Sequence, residues 1–130
     1  MDGRGKIAGM GPGGLRGGGK VTELAEVDDR TFEAEVLQAG VPVLVEFGAE
    51  WCQPCRQLEP ILEELAGEWG DRLHVVTLDI DSNANTTMRF GIMGVPALLL
   101  FVAGQPVEQW NGFQPKRRIG ERLSAHLSTT

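Results

Sequence analysis

The two cysteines of this 130-residue chain lie three positions apart, at the junction between an apolar run and a helical pattern. The apolar run covers residues 41–47 and predicts a central, buried strand, interrupted by one acidic residue, Glu46. From Cys52 to about Trp69, apolar residues recur at i, i+3, i+4 and i+7, the period of an amphipathic helix. The sequence therefore places a dithiol, Cys52 and Cys55, at the start of a helix directly after a strand.

Strand and helix patterns alternate along the rest of the chain. The sequence predicts strands over residues 21–25, 41–47, 73–80, 97–102 and 107–110, and helices over 28–37, 52–69, 84–90 and 115–127. A hairpin-length loop, residues 103–106, separates the last two strands, so we expect them to pair antiparallel. This order favours an α/β fold with helices on both faces of a mixed sheet.

The first 20 residues differ in composition from the remainder. They hold nine of the 18 glycines, no apolar periodicity, and four basic residues against one acidic residue. We expect residues 1–20 to be a disordered, Gly-rich basic tail and residues 21–130 to form one domain. The sparse charges favour a solvated extension over a functional arm, although the sequence leaves both open.

Outside the tail, 17 acidic residues face only eight basic ones. This surface argues against nucleic acid or an anionic membrane as a partner, because both are bound chiefly through Lys and Arg. No apolar run reaches the roughly 18 residues that a membrane span needs, and no export signal is recognisable. We therefore expect a cytoplasmic protein. In that reducing compartment two cysteines indicate catalysis or metal binding rather than a structural disulfide.

Metal binding is the weaker of these two interpretations. A tetrahedral zinc site needs four ligands, and the two histidines, His74 and His126, have no ligand spacing relative to the cysteines. They also belong to different faces of the predicted fold. We expect no metal site.

Three segments together resemble the thioredoxin family. They are Val45-Glu46-Phe47-Gly48-Ala49-Glu50-Trp51-Cys52-Gln53-Pro54-Cys55, Leu78-Asp79-Ile80-Asp81, and Gly91-Ile92-Met93-Gly94-Val95-Pro96-Ala97-Leu98-Leu99-Leu100-Phe101. The similarity covers residues 21–127 and leaves out the tail. It implies the thioredoxin fold and a monomeric protein-disulfide reductase. It also implies disulfide-containing target proteins as substrates, a flavin-containing thioredoxin reductase as electron donor, and no bound cofactor beyond the cysteine pair.

The resemblance assigns Cys52 as the attacking cysteine and Cys55 as the resolving one. Their positions agree with this, because unpaired N–H groups at a helix start stabilise a thiolate. Burial one turn further in raises the pKa of a thiol such as Cys55. Pro54 fixes φ and removes a donor between the two cysteines. Gln53 replaces the family's usual glycine and bears on redox poise and access.

The resemblance also implies a substrate-binding groove. Val95-Pro96 matches the family's cis-proline loop, which faces the cysteines and presents backbone to an extended substrate. The expected groove residues are Trp51, Gln53, Pro54, Gly94, Val95, Pro96, Gly112 and Phe113.

Three further departures from the family lie around the cysteines. Glu46 stands where the family has an aspartate that helps take the proton from the resolving cysteine, and burial in a strand should raise the pKa of its carboxyl group. Thr77 replaces a lysine near that acid, which would raise the same pKa further. Gly48 replaces a tryptophan, and we expect a more mobile active site. A buried structural acid without a catalytic role is the alternative for Glu46.

Two other functions remain as alternatives at this stage. The departures at Gln53 and Glu46 allow a thiol oxidant or isomerase instead of a reductase. A non-catalytic, client-binding module that uses only the apolar groove is the rival from another class.

Overall fold

A computed structural model describes residues 23–127, and in it five strands form one mixed sheet. The strands are β1 (Ala25–Glu26), β2 (Val43–Gly48), β3 (His74–Asp79), β4 (Ala97–Val102) and β5 (Gln105–Asn111). Their order across the sheet is β1-β3-β2-β4-β5. β1 and β2 run parallel to β3, whereas β4 is antiparallel to β2 and to β5. The expected mixed sheet is confirmed.

Helices cover both faces of this sheet. They are α1 (Gln53–Trp69), α2 (Ala84–Arg89) and α3 (Lys116–Leu127), together with a π-helical turn (Glu33–Leu37) and a 3-10 turn (Gly70–Arg72). Successive residues of β2 point to opposite faces, as the strand period requires. Leu44 packs in a cluster with residues of α1 and α3, whereas Val45 packs with Phe32 and Phe90 on the other face. The central strand β2 therefore contributes side chains to both hydrophobic clusters, one on each face of the sheet.

The helix α1 positions the cysteines. Its buried residues follow the predicted stripe and include Leu58, Leu62 and Leu65. It ends at Gly70, which adopts a φ of +57° that favours glycine. Within residues 23–127, no helix combines the length and apolar content that crossing a bilayer requires.

The start of the domain differs from the prediction. Only Ala25–Glu26 form a strand, and residues 21 and 22 of the predicted strand lie outside the described residues, as does the predicted disordered tail 1–20. The predicted helix over 28–37 forms a turn followed by the π-helical segment Glu33–Leu37. Asp28 does cap that turn, because its Oδ1 accepts hydrogen bonds from the N–H groups of residues 30 and 31.

The β4–β5 hairpin has a shorter loop than the predicted 103–106. Its strands continue to Val102 and from Gln105, so only Ala103 and Gly104 form the turn, with φ values of +53° and +80°. Such two-residue turns match the right-handed twist of a hairpin. A Cβ at Gly104 would lie 2.7 Å from the carbonyl oxygen of Leu37, so the turn packs directly against the end of the π-helical segment.

Candidate active site

The two cysteines form a disulfide at the start of α1. Cys52 is the N-cap residue and Cys55 lies in the first turn, with their Cα atoms 5.3 Å apart. The Cys55 N–H donates to the Cys52 Sγ at 3.2 Å. Cys52 is 3% exposed and Cys55 1% exposed, so both cysteines are buried in the disulfide form.

The local sequence explains this geometry. Cys52 has the extended backbone of an N-cap, with φ −91° and ψ 104°, and Pro54 follows in the first turn, where its missing N–H leaves no bond unmade. A sulfur that accepts an N–H at a helix start also lies at the positive end of the helix dipole. Such a position favours the thiolate form of a reduced cysteine.

Pairing between strands brings the other candidate residues to one end of the sheet. Phe47 pairs with Ala97, so continuing this antiparallel register by one residue places Pro96 alongside Gly48. The Gly112 N–H donates to the Pro96 carbonyl oxygen at 2.8 Å. We call this end of the sheet, with Gly48, Pro96, Gly112 and the cysteines, the site end.

The Val95–Pro96 peptide bond is cis, as the resemblance implied. Pro96 is buried, Val95 is half-buried and Gly94 is exposed. The loop therefore presents the backbone before the proline to the surface while the proline ring anchors it. Gly112, with φ +86°, continues β5 at the same end.

Large apolar side chains are exposed around this site. Trp51 is 66% exposed and Phe113 44% exposed, and Gln53 and Pro54 are exposed in the cysteine motif at the helix start. Met93 is 96% exposed, one residue before Gly94. Met93 was not among the residues predicted from the sequence, although its place beside the proline loop was visible in the motif.

Trp51 is held by a residue that the sequence analysis also missed. The Trp51 Nε1–H donates to the Asp81 Oδ2 at 2.8 Å. Gly48 pairs with Asp79 in the parallel register, so the segments that follow both strands leave the sheet at the same end. That topology was the available signal, because residues that follow neighbouring parallel strands meet at one edge.

Glu46 lies beneath the disulfide and is 1% exposed. It shares a sheet face with Gly48, and a Cβ built on Gly48 would lie 3.8 Å from the Glu46 Cδ and 3.2 Å from the Cys55 Sγ. The carboxyl group and the sulfur are therefore no farther apart than the sum of these two distances. Thr77 pairs with Glu46 in β3 and is buried, so the position at which the resemblance implied a lysine adjoins the acid.

A redox-active pair at a helix start, beside a cis-proline and above a buried acid, defines a thiol–disulfide oxidoreductase. Comparison with known proteins gives the family. The family profile named Thioredoxin matches residues 23–125. The chain belongs to the thioredoxin family.

Curated relatives that are thioredoxins align with this chain over almost their whole length. The chain is 42% identical over 104 residues to a thioredoxin of Staphylococcus haemolyticus, which covers 80% of this chain and 98% of the relative. It is 45% identical over 96 residues to a thioredoxin of Alicyclobacillus acidocaldarius, 74% of this chain and 90% of the relative. It is 40% identical over 107 residues to thioredoxin 1 of Nostoc sp., 82% of this chain and 100% of the relative.

The chain is therefore a protein-disulfide reductase of the thioredoxin type, which exchanges the Cys52–Cys55 dithiol with disulfides in target proteins. The exchange passes through a mixed disulfide between the chain and its target. The prediction of an enzyme is therefore confirmed, in preference to the alternative of a non-catalytic, client-binding module.

Proposed function

We propose that Cys52 attacks and Cys55 resolves. The Cys52 thiolate forms a bond to one sulfur of the target disulfide, and the other target sulfur leaves as a thiolate. The Cys55 thiolate then attacks the Cys52 Sγ, which releases the second target thiol and leaves the intramolecular disulfide. Two electrons pass to the target. The N-cap position of Cys52 carries this assignment.

Glu46 accepts the proton of the Cys55 thiol during resolution. The buried thiol must lose its proton before it can attack, and Glu46 is a buried acid on the sheet face against which Cys55 packs. Burial disfavours the charged form of a carboxyl group, which brings its proton affinity closer to that of a thiol. Thr77, which supplies no positive charge in the neighbouring strand, works in the same direction.

The target chain binds at the site end of the sheet. An extended segment next to the target disulfide lies against the backbone before Pro96 and contacts the exposed apolar side chains. The binding residues are Trp51, Gln53, Pro54, Gly94, Val95, Pro96, Gly112 and Phe113.

A flavin-containing thioredoxin reductase returns electrons to the Cys52–Cys55 disulfide. The chain needs no bound cofactor and no metal, since the dithiol is itself the redox centre. It acts as a monomer in the cytoplasm, in electron transport and cell redox homeostasis, without nucleic acid or membrane as a partner. The family resemblance supports the reductase and the monomer, and the acidic composition supports the excluded partners.

Turnover of a protein disulfide with NADPH and a bacterial thioredoxin reductase tests this proposal. We expect the chain to reduce insulin catalytically, Cys52→Ser to abolish turnover, and Cys55→Ser to accumulate a mixed disulfide that is visible by non-reducing mass analysis. Accumulation on Cys52→Ser instead would reverse the two roles.

A redox titration of the Cys52–Cys55 pair decides the direction in which the chain works. Thioredoxins have reduction potentials of about −270 mV, and the oxidant DsbA has one of about −120 mV. We expect a value near the first. A value near the second would replace the reductase by an oxidant or isomerase.

A further inference from the structure

Gly48 is in contact with the resolving cysteine. A Cβ at this position would lie 3.2 Å from the Cys55 Sγ and 3.5 Å from the Cys55 Cβ. Of the nine glycines described in residues 23–127, only Gly48 and Gly104 would bring a Cβ within 4 Å of another group. Gly48 does not have the positive φ of Gly104. Its backbone does not require a glycine, so what distinguishes Gly48 is the space beside the Cys55 sulfur that a side chain would enter.

This space matters when the disulfide is reduced. Two electrons and two protons enter, the bond between the sulfurs breaks, and each sulfur becomes a thiol. The sulfurs must then separate from bonding distance to van der Waals distance. The Cys52 sulfur accepts the Cys55 N–H at the helix start, whereas the Cys55 sulfur is packed against β2. A buried sulfur can move only where neighbouring atoms leave room.

We propose that Gly48 is a positioning residue that stabilises the reduced dithiol relative to the disulfide by leaving room for the Cys55 sulfur. Gly48 therefore raises the reduction potential of the Cys52–Cys55 couple. A methyl group at this position disfavours the dithiol and makes the chain a stronger reductant. This inference rests on the thiol exchange proposed above, in which Cys55 is the resolving thiol.

Gly48→Ala and Gly40→Ala test the inference as a matched pair. A Cβ at Gly40 meets nothing within 4 Å, so this control adds the same methyl group without a contact. Each chain is equilibrated with mixtures of reduced and oxidised dithiothreitol, quenched with acid, alkylated and weighed as an intact protein. We expect the ratio of dithiol to disulfide at one fixed buffer ratio to fall at least about fivefold in Gly48→Ala. Gly40→Ala should match the unsubstituted chain.

A ratio unchanged in Gly48→Ala, or shifted toward the dithiol, overturns the role of Gly48. The unsubstituted chain separates this result from a failure of the proposed function. If that chain itself shows no reversible couple, both the thiol exchange and the role of Gly48 are overturned.

Thermal unfolding of both redox forms distinguishes positioning from a general packing cost. By linkage, a shift in the redox equilibrium must appear as unequal loss of stability in the two forms. We expect Gly48→Ala to lower the Tm of the dithiol form more than that of the disulfide form. Equal lowering of both overturns the proposal.

A second variant covers the case in which Gly48→Ala does not fold. Adding Cys55→Ala removes the sulfur that the methyl group would meet. We expect the double variant to fold, with the Tm of Cys55→Ala alone. A double variant that also fails to fold would show that the methyl group conflicts with something other than the sulfur, and would overturn the proposal.

Discussion

At one end of the sheet the contact is made by backbone alone, whereas at the site end polar side chains add hydrogen bonds between the loops. The first end, which we call the turn end, consists of Ala103 and Gly104 against the Leu37 carbonyl group. At the site end, Asp81 accepts from Trp51, and Asp29 accepts from the N–H and hydroxyl groups of Thr86 at the start of α2. The same β4 strand runs between the two ends.

The difference shows what each end is built for. A close backbone contact fixes the fold but leaves no side chain to do chemistry. Side-chain hydrogen bonds hold a loop while leaving sulfur, indole and proline backbone facing a partner. Glycine serves both ends, at Gly104 through a positive φ and a close approach, and at Gly48 through space beside a sulfur.

Gly104→Ala gives the largest expected effect on stability. A methyl group would stand 2.7 Å from the Leu37 carbonyl oxygen, on a residue whose φ of +80° already disfavours a side chain. We expect a loss of about 3 kcal/mol in the free energy of unfolding, measured by urea denaturation. Gly40→Ala, which adds a methyl group in open space, is the control.

The same variant tests whether the two ends are independent. The potential of the Cys52–Cys55 couple in folded Gly104→Ala should equal that of the unsubstituted chain. A shifted potential would show that the turn end acts on the cysteines, and the distinction between the ends would fail.

Outside the cysteine pair, Glu46→Gln has the largest expected effect on activity with the fold left in place. It keeps the shape of the buried side chain but removes the proton acceptor near Cys55. We expect the resolution step to slow by about 10- to 100-fold at neutral pH, with less loss as alkaline pH deprotonates the thiol. The decay of a Cys52 mixed disulfide, followed across pH, measures this rate.

Glu35→Gln, at an exposed position of the π-helical segment, is the matched control. Equal resolution rates in the two variants at neutral pH would make Glu46 a structural acid, the alternative that its sequence position also allowed.

Much of the fold followed from local patterns. The apolar runs of β2, β3 and β4 and the stripe of α1 depend on residues close in sequence, and the structure confirms each of them within a few residues. The predictions of a strand over residues 21–25 and of a helix over residues 28–37 were wrong in detail, because the structure has the shorter β1 and the π-helical segment there. The π-helical segment packs against the turn at Gly104 and β1 pairs with β3, and no local pattern encodes such contacts.

The features of the candidate site were likewise predictable from the sequence only in part. The cysteine motif and the acid of β2 were visible as residue types in a strand followed by a helix, whereas the cis bond before Pro96 came from family resemblance alone. The Trp51–Asp81 hydrogen bond joins residues 30 positions apart and needed the parallel register of β2 and β3. The mobility expected from Gly48 stays a prediction.

Asp29→Ala should weaken the site end in a pH-dependent way. Hydrogen bonds from the Thr86 side chain and backbone lower the pKa of the Asp29 carboxyl group from 3.8. A lowered pKa in the folded state means that the stabilisation is present above pH 3.8 and disappears as the pH falls through the folded-state value. The difference in Tm between the unsubstituted chain and Asp29→Ala should therefore be largest near neutrality and shrink in acid.

Asp71→Ala, in the exposed 3-10 turn, is the control for removing one acidic residue. A Tm difference for Asp29→Ala that stays constant from about pH 6 to about pH 3 would contradict a contribution from the ionised carboxyl group.

Ala103→Asn has the smallest expected effect, and it is stabilising. Ala103 has a φ of +53°, a conformation that costs an L-residue with a Cβ about 1 kcal/mol and that asparagine tolerates better. Asn-Gly is also the preferred pair in two-residue hairpin turns. We expect a gain of about 0.5 kcal/mol in the free energy of unfolding. Because the turn lies at the end of β4 remote from Pro96, the redox potential of the Cys52–Cys55 couple should not change. A changed potential in Ala103→Asn would show that the turn end and the site end are coupled.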